Sequence, residues 1–386
     1  MAKERLFLGL YSGPAADGVD AALAAVRGSG PAMSVQQIAH TQKLYPEEIR
    51  RRIRVAPGRQ GEGGAKELAE LGRDIAVAAA RTGLGLLEEA NIPAENIQAV
   101  GWSGQTIFLL APGATNELGA AMELGAPAVV ARRVGRPVAA GFVASDLAAG
   151  GAGGPVTSWC DWLLFRDERL TRVTVHLGGI AAACFLPAGA EASDVEAFDV
   201  GPGTIVIDEL MQKDHHRLWD ADGATASAGR VCAPLLNELL AHPYFQVDPP
   251  KQTHAADWTN HYIFRLLHMA QKHGCRGADL IATVTELTAQ AVARAVGFAA
   301  SGPITERAHE VILTGGGALN IYLAGRIRAL LSPSSTYTVE HYGLALRAKQ
   351  ALCHAVLAAA RLDEYPAHCH HATGAERSSV LGAILK

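Results

Sequence analysis

The residues of this chain whose types and spacing could support chemistry lie in glycine-rich turns at the ends of predicted strands. Residues 173–177 form a β-branched, alternating run typical of a strand, Gly178-Gly179 follows as a tight turn, and Ile180–Leu186 predicts the returning strand. Only glycine takes positive φ without steric cost. Such turns let backbone N–H groups approach a ligand closely and favour anions, phosphate above all.

Two further turns have similar character. A second glycine-rich corner, Asp199 to Gly203 with Gly201 between, precedes a predicted helix. At the N-terminus, residues 5–10 predict a strand and residues 19–26 the returning strand. The turn between them is predicted at 11–18 and contains Ser12, Gly13, Asp17 and Gly18. Two such hairpins facing each other across a cleft could hold a nucleotide polyphosphate. The pattern fits two ordinary hairpins in two α/β domains equally well.

Polar residues in two other segments could complete a site. Ser103, Gln105 and Thr106 follow a strand predicted at 97–100, where α/β proteins place ligands. Asp146 is the single charged residue of a predicted glycine-rich loop at 142–155. It could instead cap a helix, and Asp17 and Asp199 could merely stabilise their turns.

The surrounding pattern predicts an α/β fold that positions these turns. A glycine loop is predicted at 58–64, and a strand at 310–314 runs into Gly315, Gly316 and Gly317. The length of 386 residues predicts two domains, an N-terminal lobe of 1–135 plus 372–386 and a C-terminal lobe of 136–371. Helices are predicted at 44–55, 66–89, 126–134, 231–240, 257–273, 278–298 and 343–362.

Composition narrows the class of protein. Nearly half of the residues are apolar and the net charge is −4, which gives no electrostatic footprint for nucleic acid. There is no stretch of about 18 uncharged apolar residues, so no membrane partner is expected. The scattered cysteines form no C-x-x-C pair, which indicates reduced thiols and a cytoplasmic protein. The histidines at 368, 370 and 371 are expected to lie exposed in a loop, with a structural metal as the alternative.

These motifs, taken in order, resemble those of the anhydro-N-acetylmuramic acid kinases, which include levoglucosan kinase and belong to the superfamily of sugar kinases, actin and heat-shock ATPases. The resemblance covers nearly the whole chain. It implies two lobes of duplicated ribonuclease-H-like fold around a central interdomain cleft that holds ATP and sugar. The matching segments are SGPAADGVD at 12–20, GWSGQT at 101–106, DLAAGGAGGP at 146–155, LGGIAA at 177–182, FDVGPG at 198–203, ATVTELTA at 282–289 and GGGALN at 315–320.

The resemblance also implies roles for the candidate residues. The first turn and the 177–182 turn would cradle the phosphates of ATP, with Mg²⁺, and Asp17 would reach that metal through water. The triple-glycine loop would pack against adenosine. Asp146 would be the general base that activates water to open a 1,6-anhydro sugar, while the freed oxygen takes the γ-phosphoryl group. Ser103, Gln105, Thr106, Arg347 and Gln350 would meet a sugar-like substrate. A homodimer and a place in peptidoglycan recycling are implied too.

The departures from the family fall on polar positions. Pro14 and Ala15 stand where the family's first turn carries hydroxyls, and two cations, Arg347 and Lys349, lie where its sugar segment G-D-x-x-E-A is acidic. Three hypotheses follow: a kinase with a different substrate, either less polar or anionic; a nucleotide-binding protein with weak or no turnover; or a sensor or partner subunit. Further replacements are Ser103 for histidine, Ala126 for aspartate, His176, Ala182 and Thr204 for asparagines, and Val143 to Ser145 for basic residues.

Overall fold

The computed structural model describes residues 3–56, 64–112, 118–301 and 308–386, with backbone alone for 298–301. The glycine loop predicted at 58–64 lies outside these ranges except for Gly64. The strands are β1 Arg5–Tyr11, β2 Gly18–Arg27, β3 Ser34–Leu44, β4 Ile97–Ser103, β5 Gln105–Leu110, β6 Ala120–Leu124, β7 Val138–Ala140, β8 Arg172–Leu177, β9 Ile180–Leu186, β10 Glu196–Pro202, β11 Glu310–Thr314, β12 Ser335–Thr338 and β13 Ala383–Leu385.

The helices account for most of the chain between these strands. They are α1 Glu47–Val55, α2 Gly64–Glu89, α3 Pro127–Val134, α4 Phe142–Ala148, α5 Ser158–Phe165, α6 Ile205–His215, α7 Ala224–Ala228, α8 Ala233–Leu240, α9 His261–Lys272, α10 Ala278–Ser301, α11 Ile321–Leu330, α12 Ala348–Leu362 and α13 His370–Thr373. Within the described ranges, no helix combines the length and apolar character that a membrane crossing requires.

Two large sheets share one strand order. The first sheet runs β3-β2-β1-β4-β7, with β13 added antiparallel at its edge, and the second runs β10-β9-β8-β11-β12. In each sheet the first three strands in the chain form an antiparallel meander, and the next two lie parallel to the first strand. The α/β class and the duplicated ribonuclease-H-like fold are therefore confirmed.

The chain divides into two compact units, each built on one sheet. The first unit comprises residues 1–165, 191–195 and 343–386, and the second comprises 166–190 and 196–342. The first unit thus includes 136–165 and 343–371, which the sequence-based division assigned to the C-terminal lobe. The reason is pairing and packing, because β7 joins the first sheet beside β4 and α12 covers β1, β2 and β4.

Two strand glycines let α12 lie directly on the first sheet. A Cβ on Gly9 would overlap the carbonyl oxygen of Ala351, and a Cβ on Gly101 would overlap that of His354. The opposite face of the sheet is packed by α2, whose residues Ile75, Ala76, Ala79 and Ala80 are buried. This close contact brings the start of α12, which carries Arg347 as its N-cap residue, to the first sheet.

Several segments differ from the sequence-based expectation. The polar loop predicted at 101–106 is a strand, a one-residue turn at Gly104 and the start of β5. The corner predicted at Asp199 to Gly203 lies largely within β10, where the pairing register shifts between Asp199 and Gly201. The loop predicted at 142–155 begins with α4, which contains Asp146. Ala- and Gly-rich runs carry too little periodicity to reveal such elements.

Candidate active site

The second unit brings the Gly178-Gly179 turn and the end of β10 into contact. Backbone N–H groups of Gly203 and Ile205 donate to the carbonyl of Gly179, at 2.9 and 3.2 Å, and that of Thr204 donates to Gly178 at 2.9 Å. A Cβ on Gly203 would overlap the carbonyl oxygen of Gly178. Glycine at 203 is thus required by the close approach of two backbones, and the pair of turns lies at the N-terminus of α6.

The triple-glycine loop rests on the same turn. Gly315 has φ +86°, and its Cβ would lie 2.8 Å from the carbonyl oxygen of Leu177. A Cβ on Gly317 would lie 2.8 Å from both the Leu177 side chain and Cγ2 of Thr204. Three separate glycine segments, at 178–179, 201–203 and 315–317, therefore meet at the carboxyl ends of β8 and β11. Main-chain groups dominate this surface, which suits it to an anion.

Side chains brace these turns. Thr288 of α10, from the ATVTELTA segment, donates its hydroxyl hydrogen toward the carbonyls of Pro202 and Gly203, at 3.1 and 2.9 Å. His176 is half-buried, with its Nδ1 3.2 Å from the Thr314 hydroxyl oxygen. Its ring lies where a Cβ on Gly178 or Gly315 would come within 2.8 Å. The residue that replaces the family's asparagine is thus placed between two of the glycine segments.

Asp199 lies beside these turns, and its hydrogen-bond partners were not predicted from the sequence. Its Oδ2 accepts from the Thr253 N–H at 3.1 Å, and its carbonyl accepts from the Tyr244 hydroxyl at 2.6 Å. Burial raises the pKa of the Asp199 carboxyl to about 7, against a smaller lowering effect of the Thr253 hydrogen bond. Lys251 Nζ is 4.9 Å from the Tyr244 ring centroid. Tyr244, Lys251 and Thr253 were missed because their segment has no regular pattern, although its lysine and aromatic residues are a signal.

In the first unit, polar side chains surround the turn between β1 and β2. The Ser12 hydroxyl donates to Gln105 Oε1 at 2.8 Å, so the Tyr45 hydroxyl, also at 2.8 Å, donates to Ser12. All three residues are buried, and burial raises the pKa of Tyr45. Gln105 also donates to the carbonyl of Thr106 at 3.3 Å. Ser12 and Gln105, expected to meet phosphate and sugar respectively, are hydrogen-bonded to each other.

Asp17 and Arg347 form an ion pair. Arg347 Nη1 and Gln42 Nε2 both lie 3.2 Å from Asp17 Oδ2, and the Arg347 side chain is 22% exposed. The acidic residue expected near the metal and the cation expected near the substrate therefore share one location. Lys349, the second cation of the segment that contains Arg347, is instead buried, with its Nζ 2.7 Å from Asp161 Oδ1. Gln350 accepts through its carbonyl from His354 Nδ1 at 2.8 Å.

Ser103 has an acidic neighbour, Glu123, that was not predicted from the sequence. Burial raises the pKa of Glu123, on β6, to about 7, and a hydrogen bond with Ser103 opposes that shift. Glu123 pairs in register with Thr106. The alternation of polar and apolar residues around Glu123 could have indicated strand β6. Because a loop was expected at 101–106, the β5–β6 hairpin that places Glu123 near Ser103 was not predicted.

Asp146 is buried within α4 and fully hidden from solvent. Its Oδ2 accepts from the Gly153 N–H at 2.7 Å, and its Oδ1 lies 2.7 Å from His368 Nε2. A Cβ on Gly151 would overlap this carboxylate, so the glycine-rich segment 149–154 lies directly against it. His368 is buried, which corrects the expectation of an exposed loop histidine, whereas His371 is exposed. Within the described ranges no cluster of three or more acidic, histidine or cysteine side chains could hold a metal ion.

Sequence comparisons with known proteins agree on one family. Residues 5–386 match the family described as anhydro-N-acetylmuramic acid kinase. A protein of that name from Salinibacter ruber is 36% identical over 383 residues, covering 98% of this chain and 96% of the relative. Another from Caldanaerobacter subterraneus subsp. tengcongensis is 33% identical over 388 residues, covering 99% and 97%. A ROK family glucokinase from Streptomyces griseus, solved with glucose and AMPPNP, is 13% identical with a TM-score of 0.35 and coverage of 91% and 98%.

Proposed function

Because the chain belongs to the anhydro-N-acetylmuramic acid kinase family, we propose that it is an ATP-dependent kinase that opens a 1,6-anhydro sugar and phosphorylates it. The observation that carries this proposal is the meeting of three glycine segments at one end of the second sheet. Phosphoryl transfer needs positioning and charge neutralisation more than covalent chemistry by the protein. Glycine turns, which let backbone approach a phosphate closely, are suited to that requirement.

The nucleotide would bind to the second unit. Its phosphates would lie against the turns that contain Gly178, Gly179, Gly201 and Gly203, with the N–H groups of Gly178 and Gly179 as the candidate donors. Its adenosine would pack on Gly315–317. Support comes from the mutual bracing of these segments by backbone hydrogen bonds and by the Thr288 hydroxyl. In the first unit, Gly13 and Gly18 would contribute further backbone donors for the phosphates.

Asp146 would act as the general base. It would take a proton from water as the water oxygen bonds to the anomeric carbon and the bond from that carbon to the bridging oxygen breaks. The freed oxygen would bond to the γ-phosphorus as the bond to the leaving ADP oxygen breaks. The proposal is supported by the two hydrogen bonds that orient the carboxylate, and it requires segment 149–154 to uncover Asp146 for substrate.

Substrate selection is proposed to lie in the first unit, at Ser103, Gln105, Thr106, Arg347 and Gln350. Arg347 is the one cation among these residues. Its guanidinium pairs with Asp17 and would have to contact an anionic group of the sugar as well. An Arg347→Ala variant with an unchanged Michaelis constant for the sugar would exclude that contact.

Mg²⁺ is proposed to accompany the nucleotide. It would neutralise phosphate charge during transfer, and Asp17 would be connected to it through water. Asp17 Oδ2 is engaged by Gln42 and Arg347, so Oδ1 is the oxygen suited to that contact. The nearby guanidinium weakens Asp17 as a metal site, which favours a metal held mainly by the phosphates. Turnover that persists after complete removal of divalent cations would refute this part.

We also infer a homodimer in the cytoplasm. The β5–β6 hairpin exposes Phe108, Leu110 and Met122, each about half accessible, on one face where Phe108 pairs with Met122. Exposed apolar patches of this kind are typical of protein interfaces. Mass in solution, measured by light scattering for the protein and for Phe108→Asp, tests the dimer. A reduced compartment is supported by the six cysteines, which form no disulfide with one another.

The activity is tested with Mg²⁺-ATP and a panel of 1,6-anhydro sugars, including anhydro-N-acetylmuramic acid and levoglucosan. ADP release and a sugar 6-phosphate signal in ³¹P NMR should appear together. Asp146→Asn should reduce turnover by about 10²–10⁴-fold, the range for loss of a general base. The exposed Asp214→Asn is the matched control and should behave as the unaltered protein. No turnover with any sugar would refute the proposal, and normal turnover in Asp146→Asn would refute the base.

A further inference from the structure

One buried side-chain pair joins α4 to the C-terminal segment of the chain. His368 Nε2 and Asp146 Oδ1 are 2.7 Å apart, although the residues are 222 positions apart in sequence. His368 is 3% exposed and Asp146 is not exposed at all. We propose that His368 is a positioning residue that orients the Asp146 carboxylate for proton abstraction. This inference rests on the proposed function, because it takes Asp146 as the base.

The hydrogen bonds around His368 define its protonation state. The backbone N–H of Ser379 points at His368 Nδ1, at 3.3 Å, so Nδ1 must be the acceptor nitrogen. The Thr373 hydroxyl lies 3.2 Å from Nε2 but gives its own hydrogen to the carbonyl of His370, at 3.3 Å. Nε2 therefore carries the hydrogen and donates it to Asp146, with Thr373 as a weaker second acceptor. The imidazole is neutral, since a hydrogen on Nδ1 would oppose the Ser379 N–H.

This arrangement leaves the Asp146 carboxylate able to accept a proton. A carboxylate offers about four acceptor sites. His368 uses one site on Oδ1, and the Gly153 N–H uses one on Oδ2. Two sites remain to receive a proton from water, while the two donors fix the plane of the group. A neutral donor on Oδ1 also stabilises the ionised form, which is the form a base needs, without placing a positive charge beside it.

The backbone that carries His368 is itself fixed. The Ser378 hydroxyl is 2.9 Å from the carbonyl of His368 and 3.2 Å from that of Pro366. The short helix α13 follows at once, and its Ala372 and Thr373 are buried. A positioning side chain must have its own rotamer locked by packing and hydrogen bonds, and this segment meets that requirement.

Steady-state kinetics of the full-length protein test the role. His368→Ala should lower kcat by about 10–100-fold, the cost of a small misplacement of a reacting group, with both Michaelis constants within about twofold. His368→Gln keeps an amide N–H near the Nε2 position and should recover most of that loss. The exposed neighbour His371→Gln is the matched control and should keep the original kcat. A kcat for His368→Ala equal to the unaltered value, with Asp146→Asn inactive, would overturn the proposal and leave the proposed function standing.

A second measurement does not depend on turnover. In protein labelled with ¹⁵N-histidine, two-bond ¹H–¹⁵N spectra distinguish a neutral Nε2–H ring from the other tautomer and from imidazolium. The His368 resonances, assigned through His368→Gln, should show the Nε2–H pattern and should shift in Asp146→Asn more than any other histidine. An Nδ1–H or imidazolium pattern, or no shift in Asp146→Asn, would overturn the proposal even if the protein proves inactive on every sugar.

Discussion

The two sheets have the same strand order but hold their first turns in different ways. In the second unit, the turn at Gly178-Gly179 is fixed by backbone hydrogen bonds from residues 203–205. In the first unit, the corresponding turn between β1 and β2 has backbone bonds too, but side chains surround it, with Ser12 bonded to Gln105 and Asp17 to Arg347. A turn lined by main chain keeps its chemistry when side chains change, whereas a turn lined by side chains does not.

The same contrast extends to the ion pairs in the two units. Lys349 of α12 and Asp161 of α5 form a pair in which both side chains are at most 4% exposed. In the second unit, Glu286 of α10 is equally buried, but its partner Arg326 of α11 is 38% exposed. The two units thus share one strand order. The burial of each ion pair determines how strongly the stability of its unit depends on those two side chains.

The largest effect is expected from breaking the buried pair in the first unit. Lys349→Met leaves the Asp161 carboxylate buried without its cation and should lower the free energy of unfolding by about 3–5 kcal/mol. Arg326→Met in the second unit should cost only about 1 kcal/mol, because that pair is partly solvated and Gln290 also donates to Glu286 at 2.9 Å. Denaturant unfolding of both variants measures the difference.

The control for this experiment removes both charges together. Lys349→Met combined with Asp161→Leu replaces the pair by apolar side chains of similar size and should recover most of the lost stability. Equal losses of unfolding free energy in Lys349→Met and Arg326→Met would mean that the burial of an ion pair does not determine how much it contributes to stability in the two units.

A smaller but still large effect is expected at the main-chain turn of the second unit. Gly203→Ala would force a Cβ into the carbonyl oxygen of Gly178, so the two turns must separate. We expect a loss of about 3 kcal/mol in unfolding free energy, together with weaker ATP binding measured by calorimetry. The control is Gly325→Ala in α11, where a Cβ meets nothing within 4 Å and alanine should stabilise the helix. ATP binding unchanged in Gly203→Ala would argue against a nucleotide at this turn.

The sequence predicted the framework of both units better than it predicted their sites. Both strand–turn–strand patterns carry clear alternation, and the structure confirms them as β1–β2 and β8–β9. The α4 helix was missed because its seven residues are too few to show a period and a glycine-rich segment follows them, so Asp146 was placed in a loop. Partners such as Arg347 for Asp17 are 330 positions away in the chain, and sequence periodicity cannot show which distant side chains will meet.

The smallest effects are expected at two buried carboxyls, Asp199 in the second unit and Glu123 in the first. These effects are a dependence of folding stability on pH. Burial raises the pKa of Asp199 from 3.8 to about 7 and that of Glu123 from 4.5 to about 7. In both cases the folded state holds its proton to higher pH than the unfolded state. Folding stability is therefore lost as pH rises from about 4 to about 7, and the loss is complete above pH 7.

Asp199→Asn and Glu123→Gln should each remove this loss, because an amide stays neutral and still accepts the hydrogen bond from Thr253 or Ser103. Relative to the unaltered protein, both variants should gain stability between pH 4 and pH 7, and the gain for Asp199→Asn should exceed that for Glu123→Gln by about 1 kcal/mol. The first gain is larger because the pKa of Asp199 rises over a wider interval. Unfolding free energies at pH 4, 5.5 and 7 measure both gains, and a gain that shrinks toward pH 7 would contradict the proposed burial of that carboxyl.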